Sequence, residues 1–133
     1  GPNQSKDFVV AKFISKALKN EDITIYGDGS QTRTFCYVSD NVNTCIKIFE
    51  DNLQMNDVIN IGGADEITIL ELAKLIIKKV NSTSQIIHLP PLPEGDMTRR
   101  MPYNSKMLNI MDTPMITIEE GIDKMLAHED FKA

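Results

Sequence analysis

The feature that most constrains the fold of this chain is the alternation of amphipathic helical patterns with short strand-like runs. Apolar residues recur at the spacing of a buried helix face from Val10 to Leu18, and comparable runs follow later in the chain. Between these helical patterns lie runs rich in β-branched residues, at 23–26, 34–38, 58–61 and 86–89. Helices that alternate with strands predict an α/β fold. Because a few short strands make a small sheet for so many helices, we expect the chain to need more sheet from elsewhere.

Capping residues predict where several helices begin. Asp7 and Ser39 are expected to be the N-caps of the first and second helices. The sequences at 68–71 and 117–120 read T-x-x-E, the capping box that begins a third and a last helix. The second helix is expected to bury an apolar face formed by Val42, Cys45, Ile46, Phe49 and Leu53.

Composition is that of an ordinary globular protein and excludes several classes of function. The 133 residues, 41% hydrophobic and 25% charged, suffice for one domain with a core. A net charge of −5 argues against nucleic acid as a partner, whereas a few arginines can still bind a small anion. No apolar run approaches the roughly 18 residues of a membrane span. Cys36 and Cys45 are expected to be buried, reduced thiols, and without secretory signals these features predict a cytoplasmic protein.

No motif in the chain is sufficient to carry out a reaction by itself. The glycines at 27, 29, 62 and 63 lack the G-x-G-x-x-G spacing that lets a backbone approach a dinucleotide. His88 and His128 have no cysteine, serine or carboxylate partner at a recognisable spacing, so structural or surface roles are expected for both. We therefore expect neither a metal nor a cofactor on this chain alone.

The segment at 26–35 carries residue types suited to a nucleotide. A predicted strand brings Tyr26 to a glycine-bracketed turn, and a polar run through Gln31 then leads to Arg33. The planar guanidinium of Arg33 suits two oxygens of a pyrophosphate, and the flat ring of Tyr26 suits stacking on a nucleobase. A β-turn with a surface arginine fits the same spacing.

The segment at 94–102 contains the other two arginines of the chain. Arg99 and Arg100 lie in a long proline-bounded loop, where adjacent arginines either bind an anion or are simply solvated. Since all three arginines fall in these two segments, the pattern favours a shared binding role.

The run Tyr-Gly-Asp-Gly-Ser-Gln-Thr-Arg-Thr-Phe-Cys-Tyr-Val at 26–38 closely resembles a segment of the extended short-chain dehydrogenase/reductases that act on nucleotide sugars. The resemblance is closest to UDP-glucuronate decarboxylases, with dTDP-glucose 4,6-dehydratases and UDP-sugar 4-epimerases as relatives. Further motifs match in the same order along nearly the whole chain: Gly1-Pro2, Ser39-Asp40, Asn60-Ile61-Gly62, Thr-Ile-Leu-Glu-Leu-Ala at 68–73, Arg-Arg-x-Pro at 99–102 and Ile-Glu-Glu-Gly-Ile at 118–122.

This resemblance implies that residues 1–133 form the C-terminal, sugar-nucleotide-binding part of such an enzyme, without its N-terminal NAD-binding Rossmann domain. Arg33 would hold the nucleotide diphosphate, Tyr26 would lie near the base, and Gln31 would assist. Arg100 matches a family arginine that faces the diphosphate-sugar and has a catalytic role in decarboxylating members. The implied partners are a nucleotide-diphosphate sugar and the missing Rossmann domain, in a homodimeric parent whose NAD oxidises the sugar at C4.

Departures from the family pattern leave the activity open. The Tyr-x-x-x-Lys pair and the glycine-rich NAD turn of the family belong upstream, and this chain contains neither. The sequences at 108–110 and 102–104 differ from the usual Leu-Gly-Trp and Pro-Asp-Ile. Decarboxylation, dehydration and epimerisation therefore remain alternatives for the parent enzyme. Two further alternatives to an enzyme fragment remain open. One is a non-catalytic module that binds nucleotide sugars or a protein, and the other is an α/β domain whose arginines bind nothing.

Overall fold

The computed structural model describes residues 1–53, 56–93 and 95–131, which contain short strands alternating with helices. Glu94, where the second arginine segment begins, lies outside the described residues. None of the helices in the described part of the chain is long and apolar enough to cross a membrane. The elements are α1 (Val9–Leu18), β1 (Ile23–Tyr26), β2 (Thr32–Thr34), α2 (Val38–Glu50), β3 (Glu66–Thr68), α3 (Ile69–Val80), β4 (Ile86–Leu89), β5 (Arg99–Arg100), α4 (Ser105–Ile110), α5 (Ile118–Leu126) and a final 3₁₀ turn (Glu129–Phe131).

The core lies where α1 and α3 pack against each other and against β1, with α5 closing one side. Their apolar stripes meet there, and each fully buried aliphatic side chain contributes about 1.5–3 kcal/mol. The helical periodicity that the sequence shows for these three helices is confirmed by their burial. Large side chains of this core include Phe13, Ile14, Ile23, Ile25, Leu72, Ile76, Ile122, Met125 and Phe131.

The strands form two small sheets. β1 pairs with β4 in parallel, which confirms the predicted strands at 23–26 and 86–89. β2 is the middle strand of the second sheet, antiparallel to β3 and parallel to β5. The strand predicted at 34–38 instead spans 32–34, because the partners that pair with it lie opposite those residues.

Local capping signals were correct in two cases and wrong in two. Both capping boxes form: at 68–71 and 117–120 the threonine hydroxyl accepts the glutamate backbone N–H at 3.1 and 3.2 Å. Asp7 does not cap α1, because its carboxylate accepts a hydrogen bond from the Ser5 hydroxyl instead. Ser39 does not cap α2 because it already lies in the first turn of that helix.

Helix α2 presents its apolar side to solvent, contrary to the sequence prediction. Phe49 is 84% exposed and Ile46 is 48% exposed. The buried side chains of the helix are Asp40 and Thr44. One carboxylate oxygen of Asp40 accepts the backbone N–H of Ile116 at 2.9 Å, and this polar contact helps to fix which side of α2 faces inward. The other members of the predicted face are also not buried: Val42 and Cys45 are exposed, and Leu53 lies beyond the end of the helix.

The run at 58–61 is not a strand, although its β-branched residues predict one. It belongs to neither sheet of the described part of the chain, and Val58 is 77% exposed. The following Gly63 lies against the main chain of Phe35, where a Cβ atom would meet the Phe35 carbonyl oxygen at 2.1 Å. The run at 58–61 is therefore followed by a close backbone contact at Gly63. No described strand pairs with the run to supply the hydrogen bonds of a sheet.

Candidate functional site

The two predicted arginine segments lie side by side. β2 and β5 are parallel, and Arg33 is the register partner of Arg100. Side chains that are directly opposed on neighbouring strands project from the same face of a sheet. Arg33 and Arg100 accordingly share one face, while Thr32 and Arg99 share the other.

An open groove of about 410 Å³ lies along the face that carries Arg33 and Arg100. Tyr26 and Gln31 line the same groove, so the structure brings all four predicted substrate-binding residues together. Sites for small organic ligands are concavities on the order of 300–1,000 Å³, which this groove matches. Asp96 also lines the groove, and sequence reasoning did not single it out as a site residue. Its contact with Arg33, which only the structure shows, identifies it.

Arg33 is held firmly in the wall of the groove. Its Nη1 donates to the carbonyl oxygens of Thr32 at 2.8 Å and of Met97 at 2.7 Å. Its Nη2 donates to Oδ1 of Asp96 at 2.7 Å. The Arg33 side chain is only 17% exposed. Main-chain acceptors from two segments therefore orient the guanidinium, and a carboxylate lies where the resemblance places a ligand phosphate.

Of the other three predicted residues, Arg100 and Tyr26 are exposed, whereas Gln31 is half-buried. Arg100 is exposed, and its Nη2 lies 3.6 Å from the sulfur of Met97, which is a weak acceptor. Tyr26 ends β1 with 46% of its surface exposed. Gln31 donates from Nε2 to the Tyr26 carbonyl at 3.3 Å, which ties the two ends of the turn together. The groove thus offers the cationic group of Arg100, the ammonium of Lys12, which is exposed and also lines the groove, and the accessible aromatic ring of Tyr26.

Arg99 has a structural role on the opposite face of the sheet. Its Nε and Nη2 each donate to an oxygen of Glu66 at 2.8 Å, and the hydroxyl of Thr32 donates to the same carboxylate at 2.8 Å. The hydrogen bonds from Arg99 and then from Thr32 lower the pKa of Glu66. This pair connects β5 to β3 across β2, and the adjacency of Arg99 and Arg100 in sequence therefore does not mean a shared function.

The turn between β1 and β2 is fixed by polar contacts. Oδ1 of Asp28 accepts the backbone N–H of Ser30 at 2.9 Å and its hydroxyl at 2.7 Å, and these bonds lower the pKa of Asp28. Nδ1 of His88 lies 2.8 Å from the Gly27 carbonyl oxygen, so this histidine contacts the turn from β4. Gly27 has φ +68°, a left-handed conformation that favours glycine. These contacts place Tyr26 at the rim of the groove.

His128 contributes to the C-terminal end of the chain and not to the groove. Its Nδ1 lies 3.3 Å from Oδ2 of Asp130, next to the final 3₁₀ turn. Neither histidine lines the groove that contains Arg33.

The glycine turn after β1 does not have the architecture that binds the pyrophosphate of a dinucleotide. The glycine turn after β1 leads into a second strand and not into a helix, and the first two backbone N–H groups of α3 that reach this turn already donate to the carbonyl oxygens of Gln31 and Gly29 at 3.1 Å. A pyrophosphate of NAD is bound at such a strand–turn–helix junction. Within the same described ranges, no group of three or more acidic, histidine or cysteine side chains is arranged to hold a metal ion.

Comparisons with known proteins agree on one family. Residues 1–62 match the model of the NAD dependent epimerase/dehydratase family. UDP-glucuronic acid decarboxylase 1 of Danio rerio is 39% identical over 120 residues, which are 90% of this chain and 28% of that protein. The structure of UDP-glucuronic acid 4-epimerase from Bacillus cereus, in complex with UDP-glucuronic acid and NAD, matches with TM-score 0.81 and 27% identity over 92% of this chain and 40% of its own. The dTDP-glucose 4,6-dehydratase of Bacillus anthracis, in complex with NAD, matches with TM-score 0.78 and 26% identity over 95% of this chain and 40% of its own.

These matches define the class of protein. The fold is the mixed α/β architecture found in extended short-chain dehydrogenase/reductases, as the segment at 26–38 predicts. The chain is similar to the NAD dependent epimerase/dehydratase family over residues 1–62 and to UDP-glucuronic acid decarboxylase 1 over 90% of its length. It spans less than half the length of each of these relatives.

Proposed function

We propose that this chain is the part of an NAD-dependent sugar-nucleotide-modifying enzyme that binds the nucleotide-diphosphate sugar, and that its parent most resembles UDP-glucuronate decarboxylase. The observation that carries this proposal is the register of Arg33 and Arg100 on one face of the groove. Two guanidinium groups on neighbouring strands suit the two phosphates of a diphosphate. Tyr26 at the rim is available to stack on the base.

Each residue has a distinct task in this proposal. Arg33, oriented by two carbonyl oxygens, binds the diphosphate, and Gln31 holds the turn that carries Tyr26. Arg100, on the strand next to Arg33, faces the sugar side of the ligand. Its catalytic contribution in the parent enzyme remains a prediction. The chain itself thus supplies binding energy and orientation.

We also propose that an NAD-binding Rossmann domain, present in a longer form of the protein, covers the exposed surface formed by α2 and residues 58–61. Phe49 and Ile46 form an apolar stripe on α2, and the β-branched run at 58–61 includes Val58, which is 77% exposed. Exposed apolar side chains of this kind are a feature that another domain would cover. The Danio rerio relative, of which this chain spans 28%, has the length for such a domain. A homodimeric parent stays a prediction.

Titration calorimetry with UDP tests the binding role. The wild-type chain should bind UDP, and Arg33→Ala should weaken the affinity about tenfold to a hundredfold, because a charge-assisted hydrogen bond contributes about 1.5–3 kcal/mol. Arg100→Ala should weaken it by a smaller factor. Lys74→Ala is the matched control, since it removes one positive charge from the exposed side of α3. Equal affinity of wild type and Arg33→Ala would remove the proposed role of Arg33.

A non-catalytic module is the second candidate, and the exposed stripe on α2 favours it, because a separate protein partner could cover the same surface. The upstream reading frame of the gene distinguishes the two candidates. A glycine-rich strand–turn–helix and a Tyr-x-x-x-Lys pair support the enzyme, whereas a stop codon or an unrelated domain supports the module.

A further inference from the structure

We propose that Asp96 is a displaceable counter-ion of Arg33, which the diphosphate of a bound nucleotide replaces. The carboxylate would then set the affinity of the groove for anionic ligands. This inference rests on the proposed nucleotide-binding function of the groove.

The ion pair occupies the guanidinium that the ligand needs. Oδ1 of Asp96 lies 2.7 Å from Nη2 of Arg33, and both side chains line the groove. A carboxylate and a phosphate at the same guanidinium carry charges of the same sign, so they destabilise each other there. A ligand that binds through Arg33 must therefore break or weaken this pair.

Asp96 and Met97 hold Arg33 in different ways. The Met97 carbonyl, together with the Thr32 carbonyl, uses both hydrogens of Nη1. The carboxylate of Asp96 uses one hydrogen of Nη2 and makes no other hydrogen bond with the described residues. If Asp96 moves away, the two carbonyl oxygens still orient the guanidinium. The carbonyls position Arg33, and the carboxylate is the exchangeable partner.

The backbone around Asp96 allows such an exchange. On its C-terminal side the chain is anchored, since the Thr98 carbonyl accepts the backbone N–H of Thr32 at 2.9 Å and β5 begins at Arg99. On its N-terminal side Gly95 has φ +78°, and its N–H donates to the Leu92 carbonyl at 2.9 Å in a turn. The Asp96 side chain is 42% exposed, so its carboxylate can be transferred to water without passing through packed side chains.

Calorimetry with UDP on the Asp96→Asn variant of the 133-residue chain tests the inference. We expect UDP to bind about threefold to tenfold more tightly than to wild type, because the competing charge is gone while the Met97 carbonyl remains. Glu21→Gln, which removes one negative charge from the exposed turn after α1, should leave the affinity unchanged. Uridine carries no phosphate, so its affinity should be the same for wild type and Asp96→Asn. In an Arg33→Ala background the Asp96→Asn change should have no effect.

The outcomes separate this inference from the proposed function. If wild type binds UDP and Asp96→Asn binds it equally or more weakly, the counter-ion role is overturned while the binding role of the groove stands. If neither chain binds UDP, the proposed function fails and the inference fails with it.

A measurement without ligand examines the contacts that Arg33 makes with Asp96 and Met97. In the Arg33→Ala variant, ¹⁵N relaxation should show greater fast mobility at the Asp96 amide, whereas the amide of Thr32, bonded to the Thr98 carbonyl, should stay rigid. Unchanged mobility at Asp96 would show that Arg33 does not restrain this segment, and the ion pair on which the counter-ion role depends would be overturned.

Discussion

Arg33 and Arg100 lie directly opposite each other on two parallel strands, although one follows a glycine turn and the other ends a proline-rich loop. Their neighbours in sequence point elsewhere: Arg99 forms a bidentate pair with Glu66 on the other face of the sheet. Arg99 and Arg100 are neighbours in sequence and therefore project from opposite faces of β5. As a result, Arg100 lines the groove and Arg99 holds the strands together. The proposed site depends on this register more than on the number of arginines.

The isolated chain should not turn over UDP-glucuronate in the presence of NAD⁺. The glycine turn after β1 leads into a strand and not into the helix of a dinucleotide-binding turn, and the chain contains no Tyr-x-x-x-Lys pair. Chromatography of the nucleotide sugars after prolonged incubation checks this, with full-length UDP-glucuronic acid decarboxylase 1 of Danio rerio as the positive control. Measurable product from the pure 133-residue chain would contradict the proposed division between binding and chemistry.

Phe49→Ala should change the free energy of unfolding of the isolated chain by less than about 0.5 kcal/mol, because this side chain is 84% exposed. The matched control is Phe13→Ala, in which a core side chain that is 3% exposed is lost at a cost of about 3–5 kcal/mol. Urea denaturation of both variants measures the difference. In a longer form that contains the Rossmann domain, Phe49→Ala should become clearly destabilising; equal, small effects in both forms would argue against a covered α2.

Gly63→Ala should destabilise the chain by about 1–3 kcal/mol, the usual cost of forcing extra atoms into a packed site. The added Cβ would meet the Phe35 carbonyl oxygen at 2.1 Å, and a backbone atom cannot move aside as a flexible side chain can. Asp65→Ala, at an exposed position two residues further on, is the control. Thermal unfolding compares the two variants, and an unchanged midpoint for Gly63→Ala would contradict this close backbone contact.

Glu66 should make the chain less stable in acid. Hydrogen bonds from Arg99 and Thr32 lower its pKa in the folded chain below the ordinary value of about 4.3. The stabilisation is thus complete above that ordinary value and is lost as the pH falls through the folded-state pKa. Glu66→Gln should flatten the dependence of unfolding free energy on pH in this acidic range. Glu21→Gln, whose side chain makes no hydrogen bond with the described residues, should retain the wild-type slope.

Cys45 should react with iodoacetamide before Cys36. The sequence led us to expect two buried thiols, but Cys45 is exposed on α2 and Cys36 is half-buried. Burial, followed by the negative charge of Asp40, raises the pKa of Cys36, which lowers its reactive thiolate fraction at mildly alkaline pH. Peptide mass spectrometry after a short labelling time checks the order, and preferential labelling of Cys36 would contradict it.

The sequence alone was sufficient for the features that depend on neighbouring residues. The periodicity of α1, α3 and α5 and the capping boxes at 68–71 and 117–120 are local patterns, and the structure confirms them. The segment at 26–38 was also sufficient to identify the family, because its residue types and their order are specific.

Only the tertiary structure decided which partners those elements find. Strand register places Arg100 beside Arg33 and turns Arg99 away, and the Asp96 carboxylate meets Arg33 only because β5 lies next to β2. The same holds for α2, whose apolar pattern predicts a buried face that this chain leaves exposed. Strand pairing and burial are contacts between residues far apart in sequence, and a local pattern shows that a surface is apolar or charged without showing what lies against it.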